Sequence, residues 1–379
     1  MKNVYLDHAA TSPVHPEVMQ EMIPYLTEHF GNPSSIHQYG RRARKVLDDA
    51  RQTVASSIGA SRNEITFTSG GTESDNMAIL GAVSALKEKG KHVITTKVEH
   101  HAVLHTFHEL EKRGFDVTYL PVDENGRISI EQLEREIRED TIFVSIMYGN
   151  NETGTLQDIQ TIGNLLHEKD ICFHTDAVQA FGLIPIHVDD LKIDLLSASG
   201  HKINSPKGTG FLYVREGVPF LPQGFGGEQE RKRRAGTENV PGIAALNKAV
   251  TIAQSERKER YDQYANYRNK MKQIWDEHEI SYIQNGSSDF FLPHILNVSF
   301  KGVSTEVMLV NLDLAGIAAS SGSACTAGSV EPSHVLTAMF GTDERTKSSV
   351  RYSFGLGNTL EDIEYAATET AKIVKRLTK

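Results

Sequence analysis

Ile65-Thr66-Phe67-Thr68-Ser69-Gly70-Gly71-Thr72-Glu73 is a short β-branched and aromatic run that breaks on two glycines and passes into a helical pattern holding Met77, Leu80 and Val83. Residues suited to a buried strand, a turn, then apolar positions at helical spacing spell one β–α unit. The same order repeats outward from it. Upstream, Ala43, Val46, Leu47, Ala50, Val54 and Ile58 keep one helical face, and Gly59 closes it. Downstream, residues 92–96, 117–120, 142–147, 171–175 and 194–198 are further short apolar or β-branched runs, several of them separated by helical patterns such as Ile130/Leu133/Ile137 and Ile162/Leu165/Leu166. Strands alternating with helices over this length predict an α/β fold with a mostly parallel sheet covered on both faces.

Near residue 256 the pattern changes to a long, highly charged helix with Tyr264, Tyr267, Met271 and Ile274 on one face, readable as an arm between domains or as a plain surface helix. After it come a strand at 297–300, a helix at 305–314, strands at 317–320 and 349–354 and a closing helix, the makings of a smaller α+β domain. A length of 379 residues suits two domains. Forty basic against forty-nine acidic side chains, net −9, argue against a general polyanion binder. Two cysteines, Cys172 and Cys325, offer no disulfide framework, and the first residues carry no apolar run for a signal or a membrane span, so a cytoplasmic protein is expected.

Polar residues just past strand ends are where such sheets bind ligands. The Gly70-Gly71-Thr72 turn can cradle a phosphate on a helix N-terminus, although it also reads as an ordinary β–α turn. Asp176 and Gln179 close the 171–175 run, where an acid can hold a ring nitrogen protonated or simply cap a helix. Lys202, behind Ser199-Gly200-His201, can reach a cleft and form an imine, or lie on the surface. An acid, an imine-forming lysine and a phosphate cradle are together the parts of a pyridoxal-phosphate (PLP) site. Asn151 and His100-His101 converge on the same sheet edge. His100 is suited to cover a ring and move protons, and the tandem histidines, lacking Cys or acidic partners at ligand spacing, predict no metal. Cys172 sits in an apolar run and is expected in the core. Cys325 sits in a run of small residues, 319–329, expected to be an exposed, mobile loop that presents a used thiol. Arg351 can grip a carboxylate or serve as an ion-pair partner. The basic run Arg231-Lys232-Arg233-Arg234 reads as a solvated loop, with no direct nucleic-acid binding expected.

In this order the segments resemble the cysteine desulfurases of the NifS/IscS type, class-V aminotransferase-like members of the fold-type-I PLP enzymes. The resemblance runs from Tyr5-Leu6-Asp7-His8-Ala9-Ala10-Thr11 to the last helix, through Phe30-Gly31-Asn32-Pro33-Ser34-Ser35, Asn150-Asn151-Glu152-Thr153-Gly154 and Gly236-Thr237. It implies a large domain, 15–257, with a mixed, mostly parallel seven-stranded sheet, and a small domain of 1–14 with 258–379. It implies that Lys202 carries PLP covalently, that Asp176 pairs with the ring nitrogen and Gln179 with the ring hydroxyl, and that His100 stacks on the ring. Gly71, Thr72, Ser199 and His201 would hold the phosphate, with Thr237 reaching across a homodimer interface. Asn151 and Arg351 would bind the carboxylate of L-cysteine, with Asn32 nearby, and Cys325 would take the sulfur as a persulfide. The 320–326 loop is similar to the long-loop group, which passes sulfur to acceptor proteins, and the short end after Leu377 leaves both an iron–sulfur scaffold and a tRNA-thiolating enzyme as acceptors. Rivals on the same fold are a selenocysteine lyase, a transaminase-like enzyme and a non-catalytic sulfur-transfer platform. The thiol in its loop distinguishes the first two, and the retained lysine, acid and cradle distinguish the third.

Overall fold

The computed structural model describes residues 2–322 and 332–379. Its strands are β1 (Val4–Tyr5), β2 (Ile65–Thr68), β3 (His92–Thr96), β4 (Asp116–Leu120), β5 (Thr141–Ser145), β6 (Cys172–Asp176), β7 (Leu195–Ser199), β8 (Gly210–Val214), β9 (Tyr282–Asn285), β10 (Ile295–Phe300), β11 (Ile317–Ala318) and β12 (Ser349–Ser353). Seven of them form one sheet in the order β2-β8-β7-β6-β5-β3-β4. The run β7-β6-β5-β3-β4 is parallel throughout, and β8 is antiparallel to both β7 and β2. The sequence reading placed no strand at β8. Gly210 opens it because a Cβ there would stand 2.7 Å from both the Ala198 carbonyl oxygen and Gly70 Cα, so only glycine lets β8 pass beneath the Gly70 turn.

Both faces of this sheet are covered, which explains why its strands read as unbroken apolar runs rather than alternating ones. On one side Phe143, Leu195 and Leu212 pack against Met77, Ala78, Val83 and Leu86 of the helix Gly71–Leu86. On the other, Val144, Phe173 and Leu196 pack against Leu47 and Val54 of the helix Gln38–Ser57 and Leu246 and Val250 of the helix Val240–Ser255. Fully burying each such side chain is worth about 1.5–3 kcal/mol. Cys172 departs from the expected core position. It opens β6 half-buried at the rim of the first of these two layers, where burial pushes its thiol well above the ordinary range.

A separate core gathers Val4 and Leu6 with Tyr264, Tyr267, Met271 and Trp275 of the helix Arg257–Glu277, β10, β12 and the helix Leu360–Leu377. The charged helix is thus neither a bare arm nor a plain surface helix. It buries one stripe, and Trp275, fully enclosed, donates its indole N–H to the Ala367 carbonyl at 3.2 Å. The N-terminal segment reaches this core because β1 pairs in parallel with β11. None of the helices described is long and apolar enough to cross a membrane.

Candidate active site

Turns that follow β2, β3, β5, β6 and β7 converge on one cavity of about 390 Å³ at the carboxyl edge of the sheet, the place where open α/β sheets bind ligands. Past β7, the one-turn 3-10 helix Gly200–Lys202 brings Lys202 to it. Lys202 Nζ donates to the Ala10 carbonyl at 2.7 Å and also to the Ala9 carbonyl. Burial, reinforced by the charge of Arg351, lowers its pKa to about 7. Near neutral pH about half of the amine is therefore unprotonated, the form that attacks carbonyls.

Strand β6 ends on Asp176, whose Oδ1 accepts the Val178 N–H at 2.8 Å. Burial raises this carboxyl to about 6, against the pull of that N–H and of Lys202. Gln179 Nε2 donates to the Ala9 carbonyl at 3.0 Å, and its Oε1 lies 3.0 Å from His294 Nε2. At the other wall the helix Gly71–Leu86 begins without a side-chain cap, so the N–H groups of its first turn stay open to an anion. A Cβ on Gly71 would stand 2.8 Å from Val178 Cγ2. Thr72, Ser199 and His201 line the same cavity, and His201 Nδ1 lies 3.1 Å from Thr11 Oγ1.

His100 caps the helix His101–Lys112 by accepting the Ala102 N–H at 3.1 Å, and burial lowers its pKa to about 4, so the ring is neutral at pH 7. His101 packs against His334 with ring centres 4.7 Å apart. Among the described residues no group of His, Cys, Asp or Glu side chains is arranged to hold a metal. Arg351 projects from β12, donating from Nη1 to the Asn151 carbonyl at 2.8 Å and from Nη2 to Asp7 Oδ1 at 2.7 Å, while Nε finds no partner among the described residues. The guanidinium is thus already held by two protein acceptors, which leaves three of its five N–H donors unused among the described residues.

Of the residues expected from the sequence, Gly71, Thr72, His100, Asn151, Asp176, Gln179, Ser199, His201, Lys202 and Arg351 come together here. Asn32 and Thr237 do not line this cavity. Both are exposed, and Asn32 Oδ1 accepts the Ser34 N–H at 2.9 Å within its own turn. Cys325 lies outside the described residues, but Gly322 and His334, on either side of that stretch, both line the cavity. Sequence reasoning passed over Asp75 and, although it placed Glu99 with His100-His101 at this sheet edge, gave no role to either of these buried acids beside Asp176. Asp75 is 1% exposed with an unpartnered Oδ1, 3.7 Å from His174 Nε2, and burial pushes its carboxyl well up. Glu99 accepts from Thr96 Oγ1 at 2.8 Å and Met147 N at 2.9 Å, and burial raises it to about 8. The signal for Asp75 was an acid inside an otherwise apolar helix stripe beside Met77 and Ala78.

Residues 4–366 match the aminotransferase class-V family, and the chain belongs to it; members of this family depend on PLP. Within that family, the chain is 58% identical over 379 residues, the whole of both chains, to the Bacillus subtilis (strain 168) protein named "Putative cysteine desulfurase IscS 1". Its fold superposes on a NifS-like protein with a TM-score of 0.93 at 36% identity, covering 99% of this chain and 100% of the other. It also superposes on SspA in complex with cysteine with a TM-score of 0.80 at 39% identity, covering 93% and 99%. The residues present fit PLP. The uncapped helix start and Gly71 suit a phosphate, Lys202 is a partly unprotonated amine, Asp176 is a buried acid for a ring nitrogen, and the volume lies in the range of small-ligand sites.

Proposed function

We propose that the protein is a cysteine desulfurase, which takes sulfur from L-cysteine, releases L-alanine and keeps the sulfur as a persulfide on Cys325. The observation that carries this reading is Lys202, a half-buried amine with a pKa lowered to about 7, in one cavity with Asp176, an open helix N-terminus and Arg351. PLP bound through Lys202 supplies an electron sink for the substrate's α-carbon. Gly71, Thr72, Ser199 and His201 hold its phosphate, Asp176 its ring nitrogen and Gln179 its ring hydroxyl. His100, neutral at pH 7, covers the ring and accepts a proton. Asn151 and the Arg351 guanidinium, both of which line the cavity, take the substrate carboxylate, with Asn32 nearby. The substrate C–S bond breaks as an S–S bond forms on Cys325, and the β-carbon takes a proton, so atoms and electrons balance with no outside oxidant.

Thr237 reaches the phosphate from the partner of a homodimer. Phe30, Ile36 and Phe225, 71%, 92% and 91% exposed, support a covered face around the segments that carry Asn32 and Thr237. The division into 15–257 and 1–14 with 258–379 is supported by the separate core in which Val4 and Leu6 pack with residues from 264 onward, although Ala9, Leu292 and Ile295 pack with the large sheet. In the cytoplasm the persulfide passes to an iron–sulfur scaffold or a tRNA-thiolating enzyme. The test follows sulfide and alanine from cysteine with a thiol reductant, alongside an absorbance scan. Wild type is expected to make both products, Lys202→Ala to lose the yellow band, and Cys325→Ser to keep the band and lose turnover. Undiminished cysteine consumption by Cys325→Ser would replace the persulfide route with a simpler PLP lyase or a selenocysteine-type elimination.

A further inference from the structure

A second, smaller cavity of about 30 Å³ lies behind Lys202, lined also by His8, Ser12, Gln179 and His294. His8 and His294 are 4% and 6% exposed, and His8 Nε2 and His294 Nδ1 find no hydrogen-bond partner among the described residues. Leaving a buried polar atom unsatisfied costs about 1–3 kcal/mol, so two in one cavity call for an occupant that can hydrogen-bond to both. A water needs roughly 10–15 Å³ measured this way, so the space admits one or two waters and nothing larger.

The far sides of both rings are engaged. His294 Nε2 lies 3.0 Å from Gln179 Oε1, an oxygen that only accepts, so Nε2 carries the proton and Nδ1 is an acceptor. His8 Nδ1 lies 3.3 Å from Ser12 Oγ. His8 and Ser12 also line a cleft of about 450 Å³ that includes Thr11 and Lys207. Lys202 therefore stands between the main cavity and the inner one, and His8 between the inner cavity and the cleft.

We propose that the inner cavity holds ordered water and, with His8, forms a proton path from Lys202 to the outer cleft, usable while substrate fills the main cavity. The path rests on the assignment of Lys202 as the cofactor lysine. Lys202 Nζ passes a proton to the water and the water passes one to His8 Nε2. His8 Nδ1 releases its own through Ser12 Oγ, so only N–H and O–H bonds change and one positive charge leaves. Burial lowers His8 to about 4 and His294 to about 3, so these rings hand protons on rather than store them.

Two measurements on the holoenzyme test the path. A high-resolution crystal structure is expected to show water within hydrogen-bond distance of His8 Nε2 and His294 Nδ1, and its absence would overturn the proposal. In a stopped-flow pH jump followed at the band of the lysine–cofactor linkage, His8→Gln, which keeps a hydrogen-bonding side chain but cannot change tautomer, is expected to slow the protonation phase on the order of tenfold or more. His8→Ala is expected to slow it likewise and to recover with added imidazole. An unchanged rate, or slowing that imidazole leaves untouched, would mean that His8 relays nothing. A wild type without the band would refute the assignment of Lys202 instead, and the crystallographic water would still decide the cavity.

Discussion

Glu230→Ala is expected to loosen the segment that leads to Thr237. Glu230 and Arg51 form a bidentate pair, 2.7 Å at each contact, with side chains 2% and 4% exposed. Glu230 Oε2 also accepts the Phe67 N–H at 2.9 Å, which ties the segment to β2 beside the phosphate turn. Alanine would leave the Phe67 N–H unpaired and the buried Arg51 guanidinium with no counter-charge, held only by the Ile65 carbonyl at 2.6 Å. Breaking one side of a buried pair costs about 3–5 kcal/mol, roughly a 10²–10⁴-fold rise in the opening equilibrium. Release is favoured by backbone strain, since Glu230, Arg231 and Lys232 are held at φ of 43°, 59° and 65°, a conformation that costs non-glycine residues about 1–2 kcal/mol each, and opposed by the contacts of Arg231 and Arg233 with Asn63 and of Arg234 with Glu73. The neighbouring Arg231-Lys232-Arg233-Arg234 run supplies trypsin sites, so limited digestion of the native protein reads the opening directly. Cleavage within 231–234 should accelerate by roughly 10²–10⁴-fold in Glu230→Ala and by less in Glu230→Gln, which keeps one acceptor. A rate within about threefold of wild type would mean that the pair does not hold the segment closed.

Gly71→Val should crowd Val178 and close the cradle, so calorimetry should show PLP affinity falling by on the order of tenfold or more, and unchanged affinity would place the phosphate elsewhere. Asp75→Asn should disturb the cofactor band at pH 7 less than Asp176→Asn, because burial pushes the Asp75 carboxyl towards its neutral form, whereas Asp176→Asn should remove a needed charge; equal losses in both would refute that difference. His174 and His294, each lowered to about 3 by burial, stay neutral when folded but take protons below about 6.5 when unfolded. The apoprotein's melting temperature should therefore fall as pH drops from 6.5. Glu99, raised to about 8, has the opposite sign, contributing stability at low pH that is lost as pH rises from about 4.5 to 8. Glu99→Gln should flatten the decline between pH 6 and 8, and an unaltered slope would mean that Glu99 is ionised in the folded protein.

The parallel strands were legible because burial on both faces makes them short runs rich in apolar and β-branched residues rather than alternating ones, as at His92–Thr96 and Thr141–Ser145. The direction of β8 was not, since Gly-Phe-Leu-Tyr-Val carries no mark of whether it runs with or against its neighbours. Lys202, Asp176 and Gly71 could be found because each follows a strand end. The surroundings of Asp75 and His294 could not be, because their partners lie far off in the chain. His294 matters through Gln179, 115 positions away, and Asp75 through His174. Arg351 was expected either to grip a carboxylate or to serve as an ion-pair partner, but its clasp by Asp7 and Asn151 depends on how the chain ends meet.

That meeting has a consequence for timing. Lys202 leans on carbonyls 193 and 192 positions earlier, and Arg351 reaches back 344 positions to Asp7. A ribosome adding about 5–20 residues per second needs roughly 20–70 seconds to travel from residue 10 to residue 351. For most of that interval the nascent N-terminus has no β11 to rest on, and until its end it has no β12, so the lysine's neighbours are not yet tethered. A chain stopped before Arg351 is therefore expected to show no cofactor band when PLP is added during synthesis, so that taking up the vitamin marks a finished translation.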